Sequence, residues 1–324
     1  MKKFFKWFFI VILILILAFT FIFRGKLSLY INVGKKYIEV LKNPPDISDS
    51  NSIKKLDSMD FKDVVYKESN GSKQTLDIYS AKKQLPNGSP VILYVHGGSW
   101  MYGDKSIPSV LSPLLDTFRE QGFTVISTSY ELMRNNVNFE KQVSDVKDTI
   151  RWIHENANKY NLNADEIGVI GTSAGAHLSL LAAYSDDSNF QGDLTLSKNS
   201  SKVKYIVDFF GPTNLNTLDY SKGSKEMLNV LNHIKDKDSL INKYSPINYV
   251  KEDLPKTLII HSKKDTIVPY ENSIELYNKL KSTNNKVELL SLENSGHDLS
   301  NINKNEVVSL ASKILIFITN NSPL

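Results

Sequence analysis

The chain has 324 residues, 41% of them apolar and 23% charged, with no cysteine; it can close a large core, and it excludes disulfides and thiolate-bound metals. The formal net charge is +4, but Lys2, Lys3, Lys6, Arg24 and Lys26 contribute five positive charges in an acid-free stretch. The rest is close to neutral, so the basic balance belongs to the N-terminus and excludes a nucleic-acid-binding surface.

Residues 7–23, "WFFIVILILILAFTFIF", carry no charge and no helix breaker. A helix of that length is roughly 25 Å long, and about 30 Å if it starts at Phe4 with Lys6 snorkelling to the interface. The run exceeds a signal-peptide core and no A-x-A-like cleavage site follows it, which predicts an uncleaved anchor over 1–26. The short basic tail sets the N-terminus inside, giving a single-pass protein of the cell membrane with an extracytoplasmic domain. Residues 27–60, with "NPPD" at 43–46, read as a tether, and 27–41 suit a short helix near the membrane.

From 61 to 324 the pattern is that of one soluble domain. "TLDIY" (75–79), "VILYV" (91–95), "TVISTSY" (124–130), "EIGVI" (166–170), "VKYIVDFF" (203–210), "KTLIIHS" (256–262) and "KVELLS" (286–291) read as strands. Helical stretches fall between them, near 108–120, 140–160, from 174, at 270–282 and at 305–319. In the second of these, Val143, Val146, Ile150, Ile153 and Ala157 recur at three- and four-residue steps, one face of a helix. Strands alternating with helices make an α/β protein with a mostly parallel sheet covered on both faces. The segment 211–255 is too long for a plain connection and predicts a small cap beside the site.

The chemistry centres on "GTSAG", a G-x-S-x-G placed where a buried strand ends and a helix begins. That turn presents Ser173 above the sheet, and the helix N-terminus points its N–H groups at developing negative charge. A serine hydroxyl needs a base and an oriented partner. His297 in "NSGHDLS" lies in a loop after the last strand, where a base has freedom to reach the nucleophile. His154, His177, His233 and His261 sit in a helix, one turn past Ser173, in the cap and at a strand end. Asp265 in "HSKKDTIVP" follows a strand at the carboxyl edge of the sheet; Asp208 lies within a strand and is the weaker choice of acid. The order Ser173, Asp265, His297 is that of nucleophile-elbow hydrolases. For the oxyanion, Ala174 N–H is one donor, and Gly97 or Gly98 of "VHGGSW" supplies the other, with Gly98 favoured. Trp100 and Tyr102 on the same loop are expected to bound the substrate site.

Together "YVHGGSW", "DVKDTIRWIHENANKYNLNADEIGVIGTSAGAHLSLLAA", "SPINYV", "LIIHSKKDTIVP" and "SGH" resemble the α/β-hydrolase superfamily over about residues 62–320. The likeness is to its carboxylesterase branch, near hormone-sensitive-lipase-like, acetyl-xylan or feruloyl, and kynurenine-formamidase-like enzymes. The resemblance implies the α/β-hydrolase fold, an eight-stranded mostly parallel sheet, with Ser173, Asp265 and His297 as its triad. Three departures bear on substrate: HGGS for HGGG, "SYELM" where relatives carry Tyr-Arg-Leu, and Ser262 after His261 where glycine is usual. The expectation is a membrane-anchored serine carboxylesterase for small esters, with no metal and no organic cofactor. A prolyl-oligopeptidase-type peptidase would need a propeller that the first 60 residues cannot hold. A non-catalytic binding module sits poorly with an intact serine and histidine.

Overall fold

Eight strands form one sheet among the described residues of the computed structural model, which are 59–69, 72–222 and 236–322, together with Leu56 and scattered helical positions between 28 and 42. The strands are β1 (Phe61–Ser69), β2 (Ser72–Tyr79), β3 (Ser89–Val95), β4 (Thr124–Thr128), β5 (Leu162–Thr172), β6 (Tyr205–Phe209), β7 (Lys256–Ser262) and β8 (Val287–Leu292). Their order across the sheet is β1-β2-β4-β3-β5-β6-β7-β8. β2 pairs antiparallel with β1 and β4, whereas all pairings from β4 through β3 to β8 are parallel. The sheet is thus mixed, with a parallel majority.

The helices of two turns or more among the described residues are α1 (Ser112–Glu120), α2 (Phe139–Glu155), α3 (Ala174–Tyr184), α4 (Lys237–Tyr244), α5 (Glu271–Ser282) and α6 (Lys304–Asn320). The alternation of β3 divides them between two faces. Val91, Leu93 and Val95 join a core with Val143, Val146 and Ile150 of α2 and Leu178 of α3. Ile92 and Tyr94 point the other way, to Phe118 of α1 and Ile314 of α6. Both faces of β3 are covered, which is why its sequence is a continuous apolar run rather than an alternating one.

β1 escaped the sequence pattern, which yields only seven strands. Its sequence FKDVVYKES is heavily charged, it has one neighbour, and two register shifts against β2 break the period of two. One charge even turns inward: buried Lys67 reaches Asp145 at 2.8 Å and Asp148 at 2.7 Å on α2. The expected membrane span at 7–23 lies outside the described residues. Among the described residues no helix is long and apolar enough to cross a membrane. The expected cap is described at both ends, as short turns at Leu215–Thr217 and Tyr220–Lys222 and as α4; its centre, 223–235, lies outside the described residues.

The helical positions between 28 and 42 touch the domain at two places. Tyr30 Oη donates to Asn320 Oδ1, and Asn32 Nδ2 donates to Gln121 Oε1 at 3.0 Å. These partners stand at the carboxyl ends of α6 and α1.

Candidate active site

Ser173 sits between β5 and α3 with φ 51° and ψ −118°, a conformation that ordinary side chains avoid. Its flanking glycines are there for space. A Cβ on Gly171 would lie 2.5 Å from the Ala176 Cα, and one on Gly175 would lie 2.2 Å from the Val95 carbonyl oxygen. The elbow is wedged against the end of β3, and only hydrogen fits at either position. The Ser173 N–H donates to the Phe209 carbonyl at 2.8 Å, tying the turn to β6.

The three residues predicted as a triad come together. His297 Nε2 is 2.8 Å from Ser173 Oγ, and His297 Nδ1 is 2.6 Å from Asp265 Oδ2. Asp265 Oδ1 accepts the N–H groups of Ile267 at 2.8 Å and Val268 at 2.9 Å. Burial pushes the Asp265 carboxyl up, but the bonds from His261 and His297, aided by the backbone donors, outweigh it and hold it well below the usual carboxylate range. It is an ionised acceptor, so His297 carries its hydrogen on Nδ1 and turns the Nε2 lone pair to the serine.

Sequence reasoning gave His261 no role. Its Nε2 faces two acceptors, Asp265 Oδ2 and the Val268 carbonyl, each at 3.1 Å, so that nitrogen holds the hydrogen. Its Nδ1 then accepts the Ser273 hydroxyl at 2.7 Å. The four-residue spacing to Asp265 was the available signal. Ser262, the departure from glycine, donates its hydroxyl to the Ser295 carbonyl, fastening β7 to the loop that carries His297.

Gly97, Gly98 and Ala174 line a cavity of about 540 Å³ with Ser173 and His297. Ala174 opens α3, so its N–H has no acceptor in the helix. At Gly97 a Cβ would approach Ser173 Cβ to 3.4 Å, placing that backbone against the nucleophile. The wall is largely apolar, from Trp100, Leu111, Phe209, Phe210, Ile267 and Leu299, with Asp219, Lys222 and Asp298 among the polar lining groups. Trp100 is buried, and its Nε1 donates to His177 Nδ1 at 3.1 Å. His177 Nε2 in turn donates to the Tyr244 carbonyl at 2.7 Å, and burial lowers its pKa to about 4, so it stays neutral. Tyr102 departs from expectation. The turn closed by Tyr102 N–H on the Gly98 carbonyl, at 2.8 Å, leaves its side chain 46% exposed and out of the cavity lining. His154 is part-buried in α2 and is not among the residues lining the cavity, and His233 lies outside the described residues.

Asp208, the rival acid, is fully buried on β6. Its Oδ1 accepts the Gly211 N–H at 2.8 Å and its Oδ2 has no partner among the described residues. Burial pushes its pKa from 3.8 up to about 7. Between those values the unfolded chain releases a proton that the folded chain keeps, so this group subtracts stability as pH rises through that window. Asp208→Asn keeps the acceptor and removes the titration. Its melting temperature relative to wild type is expected to be more favourable at pH 8 than at pH 5 in thermal scans; an equal offset at both would refute this.

The chain and its fold have relatives. Esterase LipC of Mycobacterium tuberculosis is 26% identical over 256 residues, 76% of this chain and 62% of LipC. Esterase LipQ of the same organism is 28% identical over 63% of this chain and 48% of its own length. The chain therefore spans about half to three-fifths of these relatives. Among solved structures, a truncated carbohydrate esterase from gut microbiota superposes with a TM-score of 0.67 at 28% identity, covering 80% of this chain and 96% of that one. Propionate-bound esterase 2 of Thermogutta terrifontis gives 0.62 at 24%, covering 78% and 93%. With the elbow, sheet order and strand-end residues of an α/β-hydrolase, and a match to the BD-FAE family model across residues 76–280, this chain belongs to the BD-FAE family.

Proposed function

We propose that this protein is a serine carboxylesterase that hydrolyses small carboxylic esters through an acyl-enzyme on Ser173. The observation that carries the reading is the unbroken hydrogen-bond chain from Asp265 through His297 to Ser173 Oγ at the wall of an apolar cavity. His297 Nε2 takes the Oγ proton as Oγ attacks the ester carbonyl, and the ionised Asp265 steadies the imidazolium that forms. The Ala174 N–H and a second from the Gly97–Gly98 turn meet the oxyanion. His297 then returns the proton to the departing alcohol, and water repeats the sequence to release the acid. The relatives named as esterases support an ester over a peptide substrate.

Acyl groups of about two to six carbons fit the reading, because Trp100, pinned by His177, limits the wall beside the nucleophile. A deep groove would gain up to about 0.8 kcal/mol per added methylene and show activity climbing with chain length. With p-nitrophenyl esters from acetate to palmitate, kcat/KM is expected to peak at or below six carbons. A maximum at ten or more would make the protein a lipase, and cleavage of peptides in place of esters would make it a peptidase. The uncharged span, the basic tail and the absent cleavage site support retention in the membrane through residues 4–23, with the catalytic domain outside the cytoplasm.

A further inference from the structure

The N-terminal segment meets the domain on a particular side. Ser173, Asp265 and His297 follow the carboxyl ends of β5, β7 and β8, which all point one way. α1 connects the parallel strands β3 and β4 and so runs back across the sheet, with Gln121 three residues before β4 begins, and the end of α6 lies at the same edge, where Phe317 packs on Tyr205, the first residue of β6. Asn320 and Gln121, which bind Tyr30 and Asn32, therefore mark the edge remote from the triad. A seven-residue strand such as β3 separates the two edges by about 23 Å, before any loop is added.

The outer face of the same segment is distinctive. Ile31, Lys35, Ile38 and Lys42 recur at steps of four, three and four, one stripe of a helix, and all are exposed. The two isoleucines are 49% and 50% exposed. Apolar groups alternating with ammonium groups suit an anionic bilayer surface, where the isoleucines enter the acyl boundary and the lysines meet headgroup phosphates. The apolar span ends at Phe23, and the five steps to Ser28 reach at most about 18 Å. On the anchor reading, so short a lead keeps these positions at the membrane surface.

We propose that the helical positions described between 28 and 42 lie along an anionic bilayer and hold the domain with its catalytic edge turned away from the membrane, so that the ester reaches Ser173 from the aqueous side. The proposal rests on the reading of residues 4–23 as a membrane anchor. It assigns a substrate class: water-borne esters, or esters on a polymer outside the membrane, in place of lipids residing in the bilayer.

Because the chain lacks cysteine, single labels test this directly. Full-length Ile31→Cys, Ile38→Cys and Tyr102→Cys variants, each carrying an environment-sensitive fluorophore, are reconstituted in phosphatidylglycerol-containing nanodiscs with and without nitroxide-bearing lipids. Tyr102, exposed on the loop after β3, reports the catalytic edge. Strong quenching at 31 and 38 with little at 102 is the expected result. Equal quenching at all three overturns the orientation. No quenching at 31 or 38, in protein that still co-fractionates with the discs, overturns the helix's contact with lipid. Protein that does not co-fractionate at all overturns the anchor reading, and the proposal with it.

Discussion

Replacing Ser173 or His297 by alanine is expected to lower kcat by about 10⁴- to 10⁶-fold while leaving the melting temperature nearly unchanged. Both side chains sit at the cavity wall and neither carries the core, so the loss is chemical. Asp265→Asn is expected to cost about 10³- to 10⁴-fold, and the donors around it say why. Backbone N–H groups hold one carboxyl oxygen, so an asparagine would keep its carbonyl there and turn its NH₂ to His297 and His261. That places an N–H against His261 Nε2–H and forces the wrong tautomer on His297, leaving no base opposite the serine. Steady-state kinetics with a short-chain ester, alongside fluorophosphonate labelling, measure all three. Near-normal turnover by Ser173→Ala would remove the mechanism.

The second large effect is on stability. Gly175→Ala would put a methyl group 2.2 Å from the Val95 carbonyl oxygen and 2.3 Å from that of His96. Both obstacles are backbone of the central strand and its extension, which cannot step aside without moving β3. A loss of about 4 kcal/mol or more, or failure to fold, is expected. Gly296→Ala is the contrast, since its nearest neighbour is the Ser300 hydroxyl at 2.7 Å, the end of a side chain that can rotate. Urea unfolding compares the two. A Gly175→Ala protein within about 1 kcal/mol of wild type would show that the elbow has slack the geometry denies.

Much of the site was legible because its parts are local. The elbow declares itself through Gly171, Ser173 and Gly175, whose spacing encodes a strained turn between strand and helix. Asp265 and His297 each follow a strand, buried in β7 and only partly buried in β8, so the topology of a parallel sheet delivers them to one edge. What stayed hidden depends on partners remote in sequence. Lys67 reads as a surface charge until Asp145 and Asp148 meet it inside, and with it β1 is lost from the pattern. His261 looks like the last residue of a strand until Ser273, on the helix after it, fixes its tautomer. Tyr102 and Trp100 are near-equal in sequence, and only the turn at Gly98 sends one inward and the other out.

The setting of Asp265 has a consequence for the second half of turnover. Its carboxylate receives two main-chain N–H groups on one oxygen and two imidazole N–H groups on the other, which fills the four lone-pair directions available to it. No berth is left there for a water molecule. The water that releases the acyl group must therefore be aligned by His297 and the oxyanion donors alone, in the space the alcohol has vacated. The acid end of the triad is stiff, and any adjustment between an attacking serine and an attacking water falls to the hydroxyl end. A bulky alcohol that lingers after cleavage would delay that water by occupying its only seat.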